Sequence, residues 1–454
     1  MSAVQQPPLP PPDVVAPGAA PTELKPRRGI RPPVSSPIAE TRTTPAFLRQ
    51  WNVILLVLIG AFAVVGSIAS LVMRSASETT ANNTAPALIG IQDLFASVAE
   101  ANAAATAAFL STSATGTEDR VNRNLYLDAI RRASGQSEEV SAIIGSNDEA
   151  HEALKDIAVS LNIYSGRIEA ARVANSNDLP GADVQLREAL GIVQTDVATA
   201  VATVNVQGQD QLDAERTTGR ILAIAAVGIG VLTLLGLFWL QVGLLNRTNR
   251  ILNPLLVIAT LLVATVLGYL VIGPANRALA LNQATDGGYD AIATTSEIQT
   301  TAFSLQSQLS LQILDSASGA GASGEDLEPL FADVATRIGD LAAGADSDRE
   351  RAAAETLQIR WTRYEAAARD IQTQADRGNQ DAAVELFQGD GLATFNGLNT
   401  AIESVLSDNR SQFLDGVDDA SRAVSTTPFL TIVLPVLAAL ATLLAIQRRL
   451  GEYR

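Results

Sequence analysis

The chain has 454 residues with no cysteine and one histidine, which excludes disulfides, thiolate chemistry and metal sites built from several imidazoles of one chain. Hydrophobic residues make up 47% but aromatic ones only 4%, a composition led by Ala, Val, Leu and Ile that suits long, closely approaching helices. A net charge of −16 argues against nucleic-acid binding, which needs a positive footprint.

Residues 1–46 carry twelve of the 19 prolines and read as a disordered Pro-rich cytoplasmic tail that cannot bury a core. Lys25, Arg27, Arg28 and Arg31 form a basic patch within it. That patch is either a docking segment for a cytoplasmic partner or anionic lipid, or a solvated stretch that enforces topology. Trp51 to Met73 is uncharged and long enough to span a bilayer, placing a first membrane helix at 47–73.

Residues 74–219 hold ten basic and twenty acidic residues and show helical periodicity. Seams run through Ile91, Leu94, Val98, Ala101, Ala105 and Ala108, then Leu154, Ile157, Leu161, Tyr164, Ile168 and Ala171, then Leu190, Val193, Val197, Ala200 and Val204. Breaks at 113–117, 145–148 and 175–181 divide the block into four helices, so a four-helix bundle is expected.

Two uncharged runs of 26 residues follow, Ile221–Asn246 and Ile251–Asn276, parted by a basic tip at 247–250 containing Arg247 and Arg250. As helices each run is about 39 Å long, more than a bilayer's hydrocarbon core, so membrane helices are placed at 220–246 and 251–276. Residues 277–422 repeat the acidic pattern, with seams through Leu357, Trp361, Tyr364, Ala368 and Ile371, and through Phe395, Leu398, Ile402 and Val405. Breaks fall at 316–324, 343–348 and 376–380. Tyr364 lies 200 residues after Tyr164 in the same helix of its block, which suggests an internal duplication. A fourth membrane helix at 423–447 precedes a short basic terminus, 448–454.

The fold class is therefore all-α: four transmembrane helices and two tandem extracytoplasmic four-helix bundles. The basic residues of the N-terminal tail, the central tip and the C-terminus all fall on one side of four spans, which places both termini and the tip in the cytoplasm of a plasma (inner) membrane protein.

No phosphate loop, nucleophile with a base, or metal-ligand cluster stands out, so the reading is a non-enzymatic protein without a cofactor. Acidic pairs such as Glu138 with Glu139 and Asp418 with Asp419 read as solvated helix faces, as does His151 at a helix start. Arg360, Trp361, Arg363 and Tyr364 are the ligand-binding candidates, because a guanidinium and an indole can grip an amino acid's carboxylate and stem. The seam position of Trp361 and Tyr364 equally fits core packing. Arg27, Arg28, Arg31, Arg247 and Arg250 are the candidate cytoplasmic signalling contacts. Polar seam residues near the membrane, Gln207 and Gln211 after Val204 and Asn409 and Gln412 after Val405, fit either a bistable stalk or fraying at the headgroups.

Span, acidic bundle, span is the plan of chemoreceptor-type sensor modules. Two such modules joined by a short tip and preceded by a Pro-rich tail resemble the actinobacterial four-pass membrane sensors of the GlnX type, over about residues 47–449. The resemblance implies a glutamine/glutamate-binding lipoprotein as the outer partner and the Ser/Thr protein kinase G as the inner one. The expected function is a transducer of extracytoplasmic amino-acid status to that kinase, compatible with a homo-oligomer. A cell-envelope scaffold or a transporter accessory subunit is the alternative.

Overall fold

The computed structural model describes residues 44–144, 149–248, 253–282, 288–318, 326–345, 347–425 and 427–451. Among these residues the chain is helical, with no strands. The basic tail with Arg27, Arg28 and Arg31 lies outside the described residues, as does Arg250; Arg247 falls in the last turn of a described helix.

In chain order the helices are α1 (Thr44–Thr79), α2 (Ala85–Thr115), α3 (Arg120–Ile144), α4 (Glu149–Ser176), α5 (Ala182–Ile192), α6 (Ala198–Thr248) and α7 (Pro254–Asn282). Then come α8 (Asp290–Ser318), α9 (Glu328–Ala343), α10 (Asp348–Asp376), α11 (Gln380–Leu386), α12 (Leu392–Ser425) and α13 (Thr427–Gly451). Helix boundaries follow local chemistry. Asn253 accepts from the Leu255 backbone N–H at 3.2 Å and Pro254 opens α7, a cap and first-turn pair that starts a helix cleanly. Ser347 and Glu350 form a reciprocal capping box at the start of α10. Gly116, at φ 70°, ends α2 in the left-handed region that favours glycine.

Some boundaries are not breaks. A π-helical turn at Thr80–Thr84 joins α1 to α2, so the backbone is helical from Thr44 to Thr115. Similar turns at Val193–Val197 and Phe387–Gly391 join α5 to α6 and α11 to α12. The first two of these rods pass from the apolar cluster into an acidic helical unit.

The apolar cluster is a closed ring in which α1 packs on α6 and α13, and α7 packs on the same two helices. Its buried residues include Leu55, Phe62, Leu240, Val263, Leu270 and Ile446. Small residues allow close approach: a Cβ added at Gly230 would stand 2.7 Å from the Phe62 ring. Side-chain bonds cross the ring, with Ser70 and Thr431 hydroxyls 3.0 Å apart and Gln241 donating to Thr260 at 2.9 Å. Outward, Val57, Ile224, Trp239, Leu261 and Phe429 stay exposed, an apolar belt of the kind that lipid covers.

Among the described residues five helices are long and apolar enough to cross a membrane. The one beyond the four expected from sequence is Ala182–Asp210. Its apolar residues Leu186, Leu190, Val193, Val197 and Val204 are buried in the core of the first unit, against α4.

Two units stand on the ring. The first is built from α2, α3, α4 and the α5–α6 rod; the second from α8, α9, α10 and the α11–α12 rod. The seam residues read from sequence are buried, except that Ala108 is only partly so. The units are not separate. α2 packs along α8, with Ala99, Ala103, Ala107 and Leu110 buried in the second unit's core. Ala105, Ala101 and Val98 of the same helix face the first core.

The second unit closes at its base through Gly288, where an added Cβ would meet Phe413 backbone atoms at 3.1 and 3.3 Å. Backbone cannot swing aside as a side-chain tip can, so Gly288→Ala should destabilise the protein by about 1–3 kcal/mol, an overpacking cost. Gly339→Ala, on an open face of α9, should hold or raise stability. Thermal unfolding of the detergent-solubilised chain checks this; equal midpoints for the two variants would contradict the packing.

Candidate functional site

The structure separates the sequence-derived ligand candidates. Trp361 and Tyr364 are fully buried, whereas Arg360 and Arg363 on the same helix are exposed. The aromatic pair belongs to a ring cluster: Trp361 lies 6.1 Å from Phe331 and 5.9 Å from Tyr364, and Tyr364 and Phe303 lie 5.4 Å and 5.2 Å from Phe395. Tyr364 donates its hydroxyl to Gln306 on α8 at 3.1 Å, and burial drives its pKa far up. The four residues therefore do not converge on one cavity. Seam geometry explains this, since positions 361 and 364 face inward while 360 and 363 flank them.

The first unit has a matching core. Tyr164 is fully buried, packs 6.2 Å from Tyr126, and reaches Asn102 on α2 at 3.5 Å. Burial raises its pKa well above the usual value, and the neighbouring Tyr126 adds to the shift. Toward the far end, Arg123 and Arg172 converge on Glu118 and Glu169. Burial alone would raise the Glu169 pKa, but hydrogen bonds and charge from both arginines outweigh it and lower it. His151 sits in the first turn of α4, 3.0 Å from the Ser141 hydroxyl.

Each unit has a cavity at its base, beside the apolar ring. In the first, about 290 Å³ is lined by Thr79, Asn83, Leu88, Ile144, Val204 and Gln207 among others, with no charged side chain among the described residues. Gln207 bridges that base: it accepts from the Ala150 backbone N–H at 2.8 Å and donates to Glu149 at 2.8 Å. In the second, about 450 Å³ is lined by Arg349, Glu350, Asp408, Asn409, Asp415 and Asp419, with small residues such as Ala291, Gly344 and Gly416 between them. Val405 lines it as Val204 lines the first. The polar seam residues Asn409 and Gln412 were legible in the sequence as interruptions of an apolar stripe. The convergence of α10's first turn with Asp415 and Asp419 was not, because it depends on how the second unit closes.

These features define an all-helical protein whose apolar ring is consistent with a membrane protein, with helical units continuous with that ring. Residues 76–217, from the end of α1 through the first unit, match the family model of the actinobacterial sensor domain. This supports an actinobacterial sensor protein and a sensing or signalling role. No curated protein and no solved structure matches the chain.

If the aromatic pair serves packing, Trp361→Ala should cost about 3–5 kcal/mol, the usual penalty for emptying a buried indole site. Arg360→Ala with Arg363→Ala should stay within about 0.5 kcal/mol of the parent. Chemical denaturation of the purified chain measures both.

The Glu169 cluster yields a pH signature. A folded-state pKa below the usual 4.5 gives stability that is present above the unfolded value and lost as pH falls through the folded one. Glu169→Gln should therefore lower the unfolding midpoint at neutral pH, with the gap closing as acid is added. A gap independent of pH would contradict the assignment.

Proposed function

We propose that this protein is a non-enzymatic, four-pass signal transducer of the plasma membrane, with both termini cytoplasmic and both helical units outside. The observation that carries the reading is helical continuity: backbone from Thr44 to Thr115, and again from Ala182 to Thr248, is helical through both the apolar ring and the first unit. A displacement at the outer end of such a rod has no flexible joint in which to dissipate. The sensor-domain match over residues 76–217 supports the same assignment.

Within this reading the units descend from one duplicated module. Several correspondences support that origin. Tyr164 and Tyr364 are fully buried and each reaches an amide side chain, Asn102 on α2 or Gln306 on α8. Asp178 and Gly378 are both left-handed, at φ 52° and 74°. The next residue's N–H closes each helix end by bonding back five residues, Leu179 to Ala174 at 2.8 Å and Asn379 to Gln374 at 2.9 Å.

The signal proposed is extracytoplasmic amino-acid status, of the glutamine, glutamate or aspartate kind, delivered by a ligand-loaded binding lipoprotein. The lipoprotein would prefer one packing of the outer units, and only such differential affinity can shift the helices. The output is a cytoplasmic Ser/Thr kinase contacting the basic tail around Arg27, Arg28 and Arg31 or the tip at Arg247 and Arg250. Deleting the gene should abolish the kinase's phosphorylation response to added glutamate or glutamine, and a cysteine placed at Thr248 should resist impermeant maleimides in intact cells. An unchanged phosphorylation response sinks the relay; labelling from outside sinks the topology.

A further inference from the structure

Helices α3 and α4 of the first unit are joined at both ends and open in the middle. At one end Arg123 pairs with Glu169 at 2.9 Å, and at the other the Ser141 hydroxyl lies 3.0 Å from the His151 Nδ1. Between these links the facing side chains are short, Ser134, Ser137 and Ala158 among them, and a cavity of about 360 Å³ parts the two helices. In the second unit the interface between α9 and α10 is instead filled by large rings, Phe331 against Trp361 at 6.1 Å. Three polar groups line the first-unit cavity without partners among the described residues. Ser137 is 5% exposed and forms no hydrogen bond, and its hydroxyl opens on the cavity rather than into packed side chains. Lys155 on α4 and Glu138 on α3 stand on opposite walls yet form no ion pair, with each other or with any described group. A buried hydroxyl without a partner carries a desolvation cost that a bound acceptor would relieve. Two opposite charges held apart by a gap are satisfied together by a ligand that carries both. Asn162 adds an acceptor, since its Nδ2 is taken by the Ala158 carbonyl at 3.0 Å and its Oδ1 is left.

We propose that the cavity between α3 and α4 binds a free zwitterionic α-amino acid with a neutral polar side chain. Its carboxylate takes Lys155 and the Ser137 hydroxyl, its ammonium faces Glu138, and its stem lies along Leu161 toward the Asn162 Oδ1. The volume falls within the range of small-molecule sites, about 300–1,000 Å³. A charged side chain would bring a third charge for which the wall holds no counter-group. The proposal does not depend on the lipoprotein or the kinase, since binding is read on the isolated chain, and its failure would leave the transducer reading standing.

The test uses the full chain in nanodiscs of phosphatidylglycerol alone, which carries no amine. L-serine, L-threonine, L-asparagine and L-glutamine are titrated calorimetrically, with L-glutamate and L-lysine as charged controls. At least one of the four should bind with one site per chain, and more tightly than either control. Its N-acetyl and carboxamide derivatives, each missing one charge, should bind ~10-fold or more weakly, as loss of a charge-assisted bond requires. Lys155→Gln and Glu138→Gln, both at exposed positions and therefore benign to folding, should weaken binding of the parent amino acid by a similar factor. Ser137→Ala should weaken it about 5-fold, the worth of one hydrogen bond. A second readout follows Lys155 itself, the only lysine after Lys25. The bound amino acid should slow acetylation of Lys155 relative to Lys25, which meets the same reagent. Absence of binding by all four amino acids, tighter binding of a charged control, or binding indifferent to Lys155→Gln and Glu138→Gln overturns the proposal.

Discussion

Helix α2 has two buried faces, and the arrangement outside the apolar ring depends on that double burial. Ile91, Leu94 and Val98 turn toward α3 and α4, while Ala99, Ala103 and Ala107, four residues apart, lie against α8. Alanine is suited to the second face because its methyl group lets two helix backbones approach closely without loss of side-chain entropy. A larger residue on that stripe would wedge the units apart, and a polar one would need a partner at the interface. Polar bonds then fix the alignment along the seam: Arg410 pairs with Asp93, Arg187 with Asp315, and Tyr289 donates to Asn205. The Arg410–Asp93 pair is not a simple source of stability. Burial raises the Asp93 pKa even though Arg410 opposes the shift, so its energetic return is offset by desolvation. Its consequence is registry, since sliding one unit on the other would leave both charges half-buried and unpaired.

The shared helix changes what the tandem arrangement means mechanically. Two bundles joined only through a membrane hairpin could respond independently. With α2 contributing to both cores, a shift of α2 along its axis is felt by α8 directly, beyond the apolar ring as well as through it. The same shift is carried inward, because the rod containing α2 also contains α1.

Much of this was legible in the chain. Seam residues from Leu154 to Ala171 and from Leu357 to Ile371 are buried, and the helix ends near Gly116, Gly181, Gly344 and Gly378 fall where glycine and polar residues interrupt the stripes. Those features are local: periodicity and left-handed turns are written in a few consecutive residues. The α2–α8 contact was hidden because an alanine stripe reads as ordinary helix composition until its partner is known. The π turns were hidden for a related reason, as nothing in Val193–Val197 or Phe387–Gly391 distinguishes one extra residue in a helical turn. For the candidate site, the polar interruptions at Asn409 and Gln412 were visible, but the cavity they border forms between α8, α10 and α12, far apart in sequence.

Those π turns set a rotational phase. A π turn holds one residue more than the α-helical ladder around it, and one helical residue corresponds to about 100° of rotation and 1.5 Å of rise. At Thr80–Thr84 the turn lies between the face of α1 that packs in the ring and the face of α2 that packs in the outer cores. The two faces are thus brought into alignment by a single backbone residue rather than by side-chain choice. Were that residue absorbed into a neighbouring turn, the whole upper rod would be re-indexed against the lower one without any contact being redesigned. The joint between the apolar ring and the unit it carries is therefore stiff to bending yet discrete in twist, with neighbouring settings one residue apart.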